Sequence, residues 1–498
     1  MSYDMFKLKL GRSDTIFDML VVCYEYIDNS SYPGLWREYC RYLEEDNCNK
    51  WLSLPILIDH LLYGIIDFIS FRDGTIDLFT EDKAKLFSIH LLREWDVILG
   101  DRDNYPYLKA RKVDTNLKTS IGPLNKQDEI YSFIYTSNNS LLTLAKEHFR
   151  SVSKKDSSNI FYRIKNYRII KKDLNLPKII LESYKNNYFK ELLDGDTEEL
   201  KIGVVPIGRK DWFRLEFQSY EKAESNFFEI KPEVELIEEL NNRYISILEL
   251  LNEERAHIVI FPELAMNKNT EKVISDYLIN KCLMGTNYIQ FVFMGSLWES
   301  GSNICSLISG GGTHLISNPK KMPFEYKKSG KTYVEALNKW PEAYNLLDVA
   351  GLGRLFYLVC KDGIDDNTQI ELWNKYDVNF EVVSAYSPSL DYFIKQSYKF
   401  NSEYMGLYIL NNCCEPRVRK NINKNINIGY LASPVFNEVK NNMDSQKNYY
   451  FTDDFCKSCS YFCNCAFVYT LNPNQIVKNN DMIGIDIKSP RKVMNNFA

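Results

Sequence analysis

Residues 355–363 read Leu-Phe-Tyr-Leu-Val-Cys-Lys-Asp-Gly. Five apolar residues run straight into Cys360, and Gly363 follows two residues after Lys361. An apolar run bounded by a glycine turn reads as a buried strand, with a thiol held at the bend. Downstream, Asp366 is placed to cap a helix in which Ile370, Trp373 and Tyr376 fall at helical spacing. Strand, tight elbow, helix is an arrangement that presents a nucleophile beside the positive end of a helix. Taken alone, the same pattern also fits a cysteine buried for packing.

Outward from this elbow, strands and helices alternate. Residues 202–207 form a short apolar strand, and Pro232 opens a helix whose face carries Ile237, Leu240, Tyr244, Ile247 and Leu251. The run 257–261 is a second buried strand, ending at Pro262-Glu263-Leu264. A helix over 270–283 precedes strands at 289–294 and 303–308. The latter runs into Gly310-Gly311-Gly312, which lacks a following Lys-Ser/Thr and therefore reads as a hairpin turn rather than a phosphate loop. Beyond it comes Pro319-Lys320-Lys321-Met322-Pro323-Phe324-Glu325. After the elbow follow a strand at 380–385, a helix at 390–405 and a strand at 407–410. The class is α/β, and alternation alone permits a sandwich or a doubly wound sheet.

The chain has 498 residues, enough for two or three domains, with 45% hydrophobic and 26% charged residues. That balance belongs to a globular protein, and a net charge of −5 excludes a broadly basic nucleic-acid binder. The N-terminus carries no signal-peptide pattern, so the expected location is cytoplasmic and the twelve cysteines are expected as reduced thiols. The most apolar stretch, 51–71, contains Pro55, Asp59, His60 and Asp67, which favours a core helix or helix pair over a membrane span. Residues 1–190 read as mainly helical, from patterns such as Ile16, Leu20 and Tyr24, or Leu141, Ala145 and Phe149. The turn Leu193-Asp194-Gly195-Asp196 suggests a helical domain over 1–195 and a second domain over 196–498. Of five histidines, only His257 and His314 lie in the half containing Cys360, which leaves little material for a Cys–His dyad.

In order and spacing, a strand ending in Phe261-Pro262-Glu263, a hairpin followed by Lys320-Lys321-Met322-Pro323-Phe324, and a strand ending in Cys360-Lys361-Asp362-Gly363 resemble the carbon–nitrogen hydrolase (nitrilase) superfamily. The lysine stretch and the elbow look most like its aliphatic amidases. The resemblance covers about 200–475 and extends to Gly429–Pro434 and Ala466–Tyr469 as the final strands. It implies a four-layer α-β-β-α sandwich, pairing into a homodimer or larger assembly, and no catalytic cofactor. It also implies hydrolysis of a non-peptide C–N bond, in an amide or nitrile, through a covalent thioester-type intermediate. Cys360 is then the nucleophile, Glu263 the general base and acid, and Lys320 the oxyanion stabiliser, with the backbone N–H of Lys361 as a second donor. Glu325 is the nearest match to a further glutamate that positions substrate. Two positions depart from the family pattern: Asn318-Pro319 replaces its aromatic-Arg pair, and Asp377–Phe380 replaces a Gly-Ala pair.

Two features stand outside that resemblance. Cys456, Cys459, Cys463 and Cys465 fall within ten residues, a pattern that fits a structural zinc site, free thiols, a disulfide or an iron–sulfur centre. Residues 151–190 hold ten Lys or Arg against three Asp or Glu, with Tyr162, Tyr167, Tyr184 and Tyr188 interleaved. Such a stretch reads as a solvated face with tyrosines packed beneath, or as a nucleic-acid or protein contact through Arg163, Lys165 and Arg168. The alternative function is accordingly a degenerate nitrilase-like assembly domain carrying such a binding domain. Nitrilase-like domains attached to reverse transcriptases in bacterial antiviral systems offer the analogy, although no polymerase motif occurs in this chain.

Overall fold

The computed structural model describes residues 1–28, 32–44, 51–62, 65–100, 131–135, 167–171, 178–194, 199–208, 213–218, 226–232, 237–299, 301–337, 343–365, 369, 372–373, 376–414, 427–437, 442–452, 465–479 and 482–494. They fall into two compact units.

The first unit contains helices α1 (Tyr3–Gly11), α2 (Ile16–Asp28), α3 (Tyr32–Glu44), α4 (Leu54–Leu62), α5 (Phe68–Ile76) and α6 (Ala84–Gly100). An antiparallel pair, β1 (Tyr131–Tyr135) and β2 (Tyr167–Lys171), accompanies them. Leu54, Ile58, Leu61 and Leu62 are buried, which is the i, i+4, i+7, i+8 stripe of an amphipathic helix. The apolar stretch around Pro55 is thus a pair of nine-residue helices, with Asp67 capping the second through Ser70 N–H at 2.7 Å. No helix among the described residues is long and apolar enough to cross a membrane. The helix expected around Leu141 lies outside the described residues.

Among the described residues, the first element of the second unit is β3 (Lys178–Tyr184), ahead of the expected boundary at 195. The expectation of helix through residue 190 fails here. Ile180 and Glu182 alternate with Ile179 and Leu181 in a strand that pairs in parallel with β13 (Ala343–Val349), a partner some 160 residues away that local composition does not reveal. Helix α7 (Asn187–Asp194) follows, its Phe189 stacked on Phe291 at 5.3 Å.

The remaining elements are β4 (Leu200–Val204), β5 (Phe213–Gln218), β6 (Asn226–Pro232), α8 (Ile237–Glu253), β7 (Ile258–Ile260), α9 (Lys268–Leu283), β8 (Phe291–Glu299), β9 (Ser302–Ser309) and β10 (His314–Pro319). After them come β11 (Glu325–Lys328), β12 (Lys331–Glu335), β13, β14 (Gly353–Val359), β15 (Phe380–Ala385), α10 (Asp391–Lys399), β16 (Leu407–Asn412), β17 (Asn427–Asn437), β18 (Asn442–Thr452), β19 (Cys465–Asn479) and β20 (Met482–Met494). Pro232 does not open a helix. It closes β6, paired with Phe213, and the helix starts at Ile237, because a proline with no N–H to donate also suits a strand end.

Among the described residues, fourteen strands form one hydrogen-bonded path, β10-β9-β8-β7-β4-β19-β20-β17-β16-β15-β14-β13-β3, with β18 beside β17. The path folds back on itself into two facing layers. Ser384 of β15 donates to the carbonyl of Phe261 at 2.6 Å, and Tyr357 of β14 donates to Gly295 at 2.9 Å. Asn411 of β16 donates to Ile260 at 2.6 Å, and Phe293 meets Tyr357 edge-on at 4.9 Å. Strand alternation makes this possible: Phe293 faces the opposite layer, while Val292 and Met294 join the core under α8 and α9 with Tyr244, Leu251, Ile274 and Leu278. On the far side, Trp373 packs on Phe400 at 4.9 Å beyond α10. Helix, sheet, sheet, helix is the four-layer α-β-β-α sandwich rather than a doubly wound sheet. A separate four-stranded sheet, β11-β12-β6-β5, is built from the insertions after β4 and β10.

Candidate active site

Three strand ends converge. Glu263 follows β7 in the loop Pro262–Met266, which is seated on a bulge in β8. Ser296 Oγ accepts from Leu264 N–H at 2.9 Å, and the Ser296 carbonyl accepts from Met266 N–H at 3.1 Å. Gly295 makes the approach feasible: its φ is +75°, and a Cβ there would lie 2.1 Å from the Pro262 carbonyl oxygen. Lys320 directly follows β10, its N–H donating to the Asn303 carbonyl at 2.7 Å. Cys360 ends β14 with φ +44°, a left-handed conformation uncommon outside glycine, and starts a single 3₁₀ turn, Cys360–Ile364. Of the helix expected after the elbow, Gln369, Leu372, Trp373 and Tyr376 are helical. Asp366 and Ile370 lie outside the described residues.

The Lys320 ammonium sits between two carboxylates, 2.9 Å from Glu263 Oε1 and 2.8 Å from Glu335 Oε2, and all three side chains are at most 4% exposed. Asn303 Nδ2 donates to Glu263 Oε1 at 2.9 Å, and Tyr386 N–H donates to Glu263 Oε2 at 2.9 Å. Phe324 N–H donates to Glu335 Oε2 at 2.8 Å. Burial pulls the Lys320 pKa down, but the two glutamates and the Cys360 thiol outweigh it and hold the ammonium well above its usual range. Cys360 lines the same cavity. Burial pushes its thiol well up, Glu263 adds to this, and Lys320 and the Tyr386 N–H oppose it.

Asp362 ties the elbow to the lysine loop. Its carboxylate accepts from Lys321 N–H at 2.9 and 3.1 Å and from Met322 N–H at 2.7 Å. Burial raises its pKa to about 7, against these N–H donors and the nearby Lys320 and Lys321 ammoniums. Lys321 points away from the glutamates, 3.7 Å from the centre of the Tyr344 ring, and burial lowers its pKa to about 8. Of the two adjacent lysines, it is Lys320 whose ammonium lies beside Glu263 and Glu335. Where the family's aromatic-Arg pair would stand, Asn318 instead bridges the layers, donating to Asn345 at 2.9 Å and to Tyr357 at 3.1 Å.

Glu263, Lys320 and Cys360 are therefore brought together, and Glu325 is not. Glu325 is exposed on β11, paired through its backbone with Val334, and the carboxylate beside Lys320 belongs to Glu335 at the end of β12. The signal available was modest: in Lys331–Glu335 the buried positions are Tyr333 and Glu335, and an alternation that buries a glutamate is itself a pointer. Lys361 keeps its side chain off the cavity, donating Nζ to the Pro323 carbonyl at 3.0 Å. Asn303 is a further member that the sequence reading did not name.

The other sequence candidates fare unevenly. Tyr167 is fully buried and donates to the Leu92 carbonyl at 2.9 Å, while the half-buried Tyr188 stacks on His257 at 4.2 Å. Tyr162, Arg163, Lys165 and the Arg168 side chain lie outside the described residues. Cys456, Cys459 and Cys463 also lie outside them, while Cys465 is buried at the start of β19. Among the described residues, no group of three or more His, Cys, Asp or Glu is disposed to hold a metal ion.

No protein-family model and no curated protein matches the sequence. Solved structures do. An amidase from Nesterenkonia sp. matches 43% of this chain and 76% of its own, at 11% identity and a TM-score of 0.30. Nit3 of Saccharomyces cerevisiae, a member of branch 10 of the nitrilase superfamily, matches over the same shares at 10% identity and 0.29. A glutamine-dependent NAD+ synthetase from Acinetobacter baumannii matches 59% of this chain and 48% of its own, at 12% identity and 0.33.

Proposed function

We propose that the second unit is a nitrilase-like carbon–nitrogen hydrolase that cleaves an amide through Cys360, Glu263 and Lys320. The observation that carries this reading is a buried ammonium clamped between two carboxylates, in the same cavity as a thiol on a left-handed strand end. Burying three charges side by side costs several kcal/mol in desolvation, and a stable core does not require it. A site that must stabilise a developing charge out of water does.

In the reaction, Cys360 Sγ attacks the carbonyl carbon as its proton passes to Glu263. A thiol whose pKa burial pushes up gains its nucleophilicity from that transfer, with Glu263 as the adjacent acceptor. The carbonyl oxygen takes the negative charge and is stabilised by the Lys320 ammonium and the Lys361 N–H, the first peptide group after the nucleophile. Glu263 returns its proton to the nitrogen as the C–N bond breaks, and the amine leaves as a neutral molecule. Water then attacks the thioester, giving its proton to Glu263. The C–S bond breaks, the thiol is reprotonated and a carboxylic acid departs. Glu335 touches no reacting atom in this scheme. It holds Lys320 alongside Glu263 and is itself fixed by the Phe324 N–H.

Ammonia release from a panel of primary amides tests the reading. Turnover of at least one of them, lost by more than a thousandfold in Cys360→Ala and Glu263→Gln, is the expected result. Hydrolysis that persists within threefold in Cys360→Ala rules it out.

A further inference from the structure

The cavity that holds the four site residues has a volume of about 250 Å3. Apart from that polar cluster its walls are apolar or aromatic, and four of them come from one hairpin. Phe213 and Leu215 lie on β5, and Phe228 and Ile230 lie on β6. In each strand they are two residues apart, so all four project from the same face. The register places Leu215 opposite Ile230, and Phe228 opposite Phe217. The intervening residues carry charge on the other face, where Arg214 pairs with Glu216 and Lys231 with Glu229. The hairpin is thus an amphipathic cover. Its apolar face lines the cavity, with Phe213 meeting Tyr386 edge-on at 5.2 Å.

Charge narrows the occupant further. Among the described residues lining the cavity, Lys320 is the sole cation, and it is already committed to Glu263 and Glu335. A substrate carboxylate near the scissile bond would meet two carboxylates and no available cation, and a charged group of either sign would lose water against Phe213, Leu215, Phe228 and Ile230. At interior packing density the space accommodates roughly ten non-hydrogen atoms.

We infer that the substrate is a small amide whose acyl group is uncharged, apolar and aromatic, and that the β5–β6 hairpin selects it. This rests on the hydrolase reading and specifies the group that stays bonded to Cys360 through both half-reactions. The hairpin residues contact substrate but not the reacting atoms, so they act on specificity.

The test compares kcat/KM of the full-length protein for acetamide, phenylacetamide and malonamate, and titrates phenylacetamide calorimetrically into the Cys360→Ala protein. Phenylacetamide is expected to exceed acetamide at least tenfold, and malonamate to fall at least tenfold below acetamide. Leu215→Ala and Ile230→Ala should each lower the phenylacetamide-to-acetamide ratio at least fivefold, while Leu215→Met preserves it. Saturable phenylacetamide binding to Cys360→Ala without turnover by the unmodified protein would leave the apolar selection standing and remove the hydrolase. Acetamide turnover with equal or greater turnover of malonamate, or with no phenylacetamide binding, would overturn the selection and leave the hydrolase. Neither binding nor turnover of phenylacetamide overturns the inference. If the alanine variants do not fold, the wild-type ratios and the titration still decide.

Discussion

Lys320→Met is the most informative single perturbation, because it removes the one positive charge between two buried carboxylates. Methionine fills much the same volume, so the cost is electrostatic rather than a cavity. Glu263 keeps its hydrogen bonds from Asn303 and Tyr386, and Glu335 keeps that from Phe324, but both carboxylates lie at most 4% exposed with no compensating cation. Breaking a buried ion pair by deleting one partner costs about 3–5 kcal/mol. For a unit of this size, an unfolding entropy of about 2.1 cal/mol/K per residue converts this to a fall of about 4–7 °C in the unfolding midpoint. Differential scanning calorimetry at neutral pH reads the transition of the sandwich. The decisive control is the same substitution in a Glu263→Gln/Glu335→Gln background. There the carboxylates are already neutral, and the added cost of Lys320→Met should fall below about 1 kcal/mol. Equal costs in the two backgrounds would show that Lys320 is held by packing, and would refute the charge-clamp argument.

Asp362→Ala removes the acceptor of three hydrogen bonds from two backbone N–H groups, which should cost about 2–4 kcal/mol and loosen the link between lysine loop and elbow. Turnover should drop at least tenfold while Cys360 remains in place; unchanged turnover with lost stability would assign Asp362 a purely structural role. Glu381 is fully buried, accepts a hydrogen bond from Trp373 Nε1, and is pushed by burial from 4.5 to about 8. An acid whose folded pKa is raised binds more proton folded than unfolded, so it subtracts stability as pH climbs from 4.5 to about 8, by at most about 5 kcal/mol. Denaturant midpoints of Glu381→Gln should therefore diverge upward from wild type across that window, and parallel curves would contradict the burial argument.

How much was legible in the sequence depended on whether the governing interaction was local. The strands around Val259 and Leu358 are continuous apolar runs, because both faces of each are covered in a four-layer arrangement, and such runs are readable without a partner. Cys360 stood out at the end of an apolar run broken by a turn, whereas Glu263 and Lys320 were named only through the order and spacing of motifs that resemble a known superfamily. Glu335 was missed because its place beside Lys320 is set by the pairing of β11 with β12, and choosing between Glu325 and a residue ten positions on is a question of register. The strand β3 was read as helix for a related reason. Its hydrogen bonds go to β13, and nothing within residues 178–184 announces a parallel partner so far along the chain. Pro232 shows the limit of residue preferences, since one proline suits both a helix start and the end of a strand.

The central claim is that a carbon–nitrogen bond is broken through a thioester at Cys360. Acid-quenched intact and peptide mass spectrometry, run on the protein during turnover of phenylacetamide and on a Glu263→Gln variant given the more reactive phenyl ester of phenylacetic acid, measures this directly. A phenylacetyl adduct on the peptide containing Cys360, absent in Cys360→Ala and discharged by hydroxylamine to the hydroxamate, is the predicted result. Turnover without any adduct on Cys360, or an adduct on another of the buried cysteines such as Cys305 or Cys413, would contradict it.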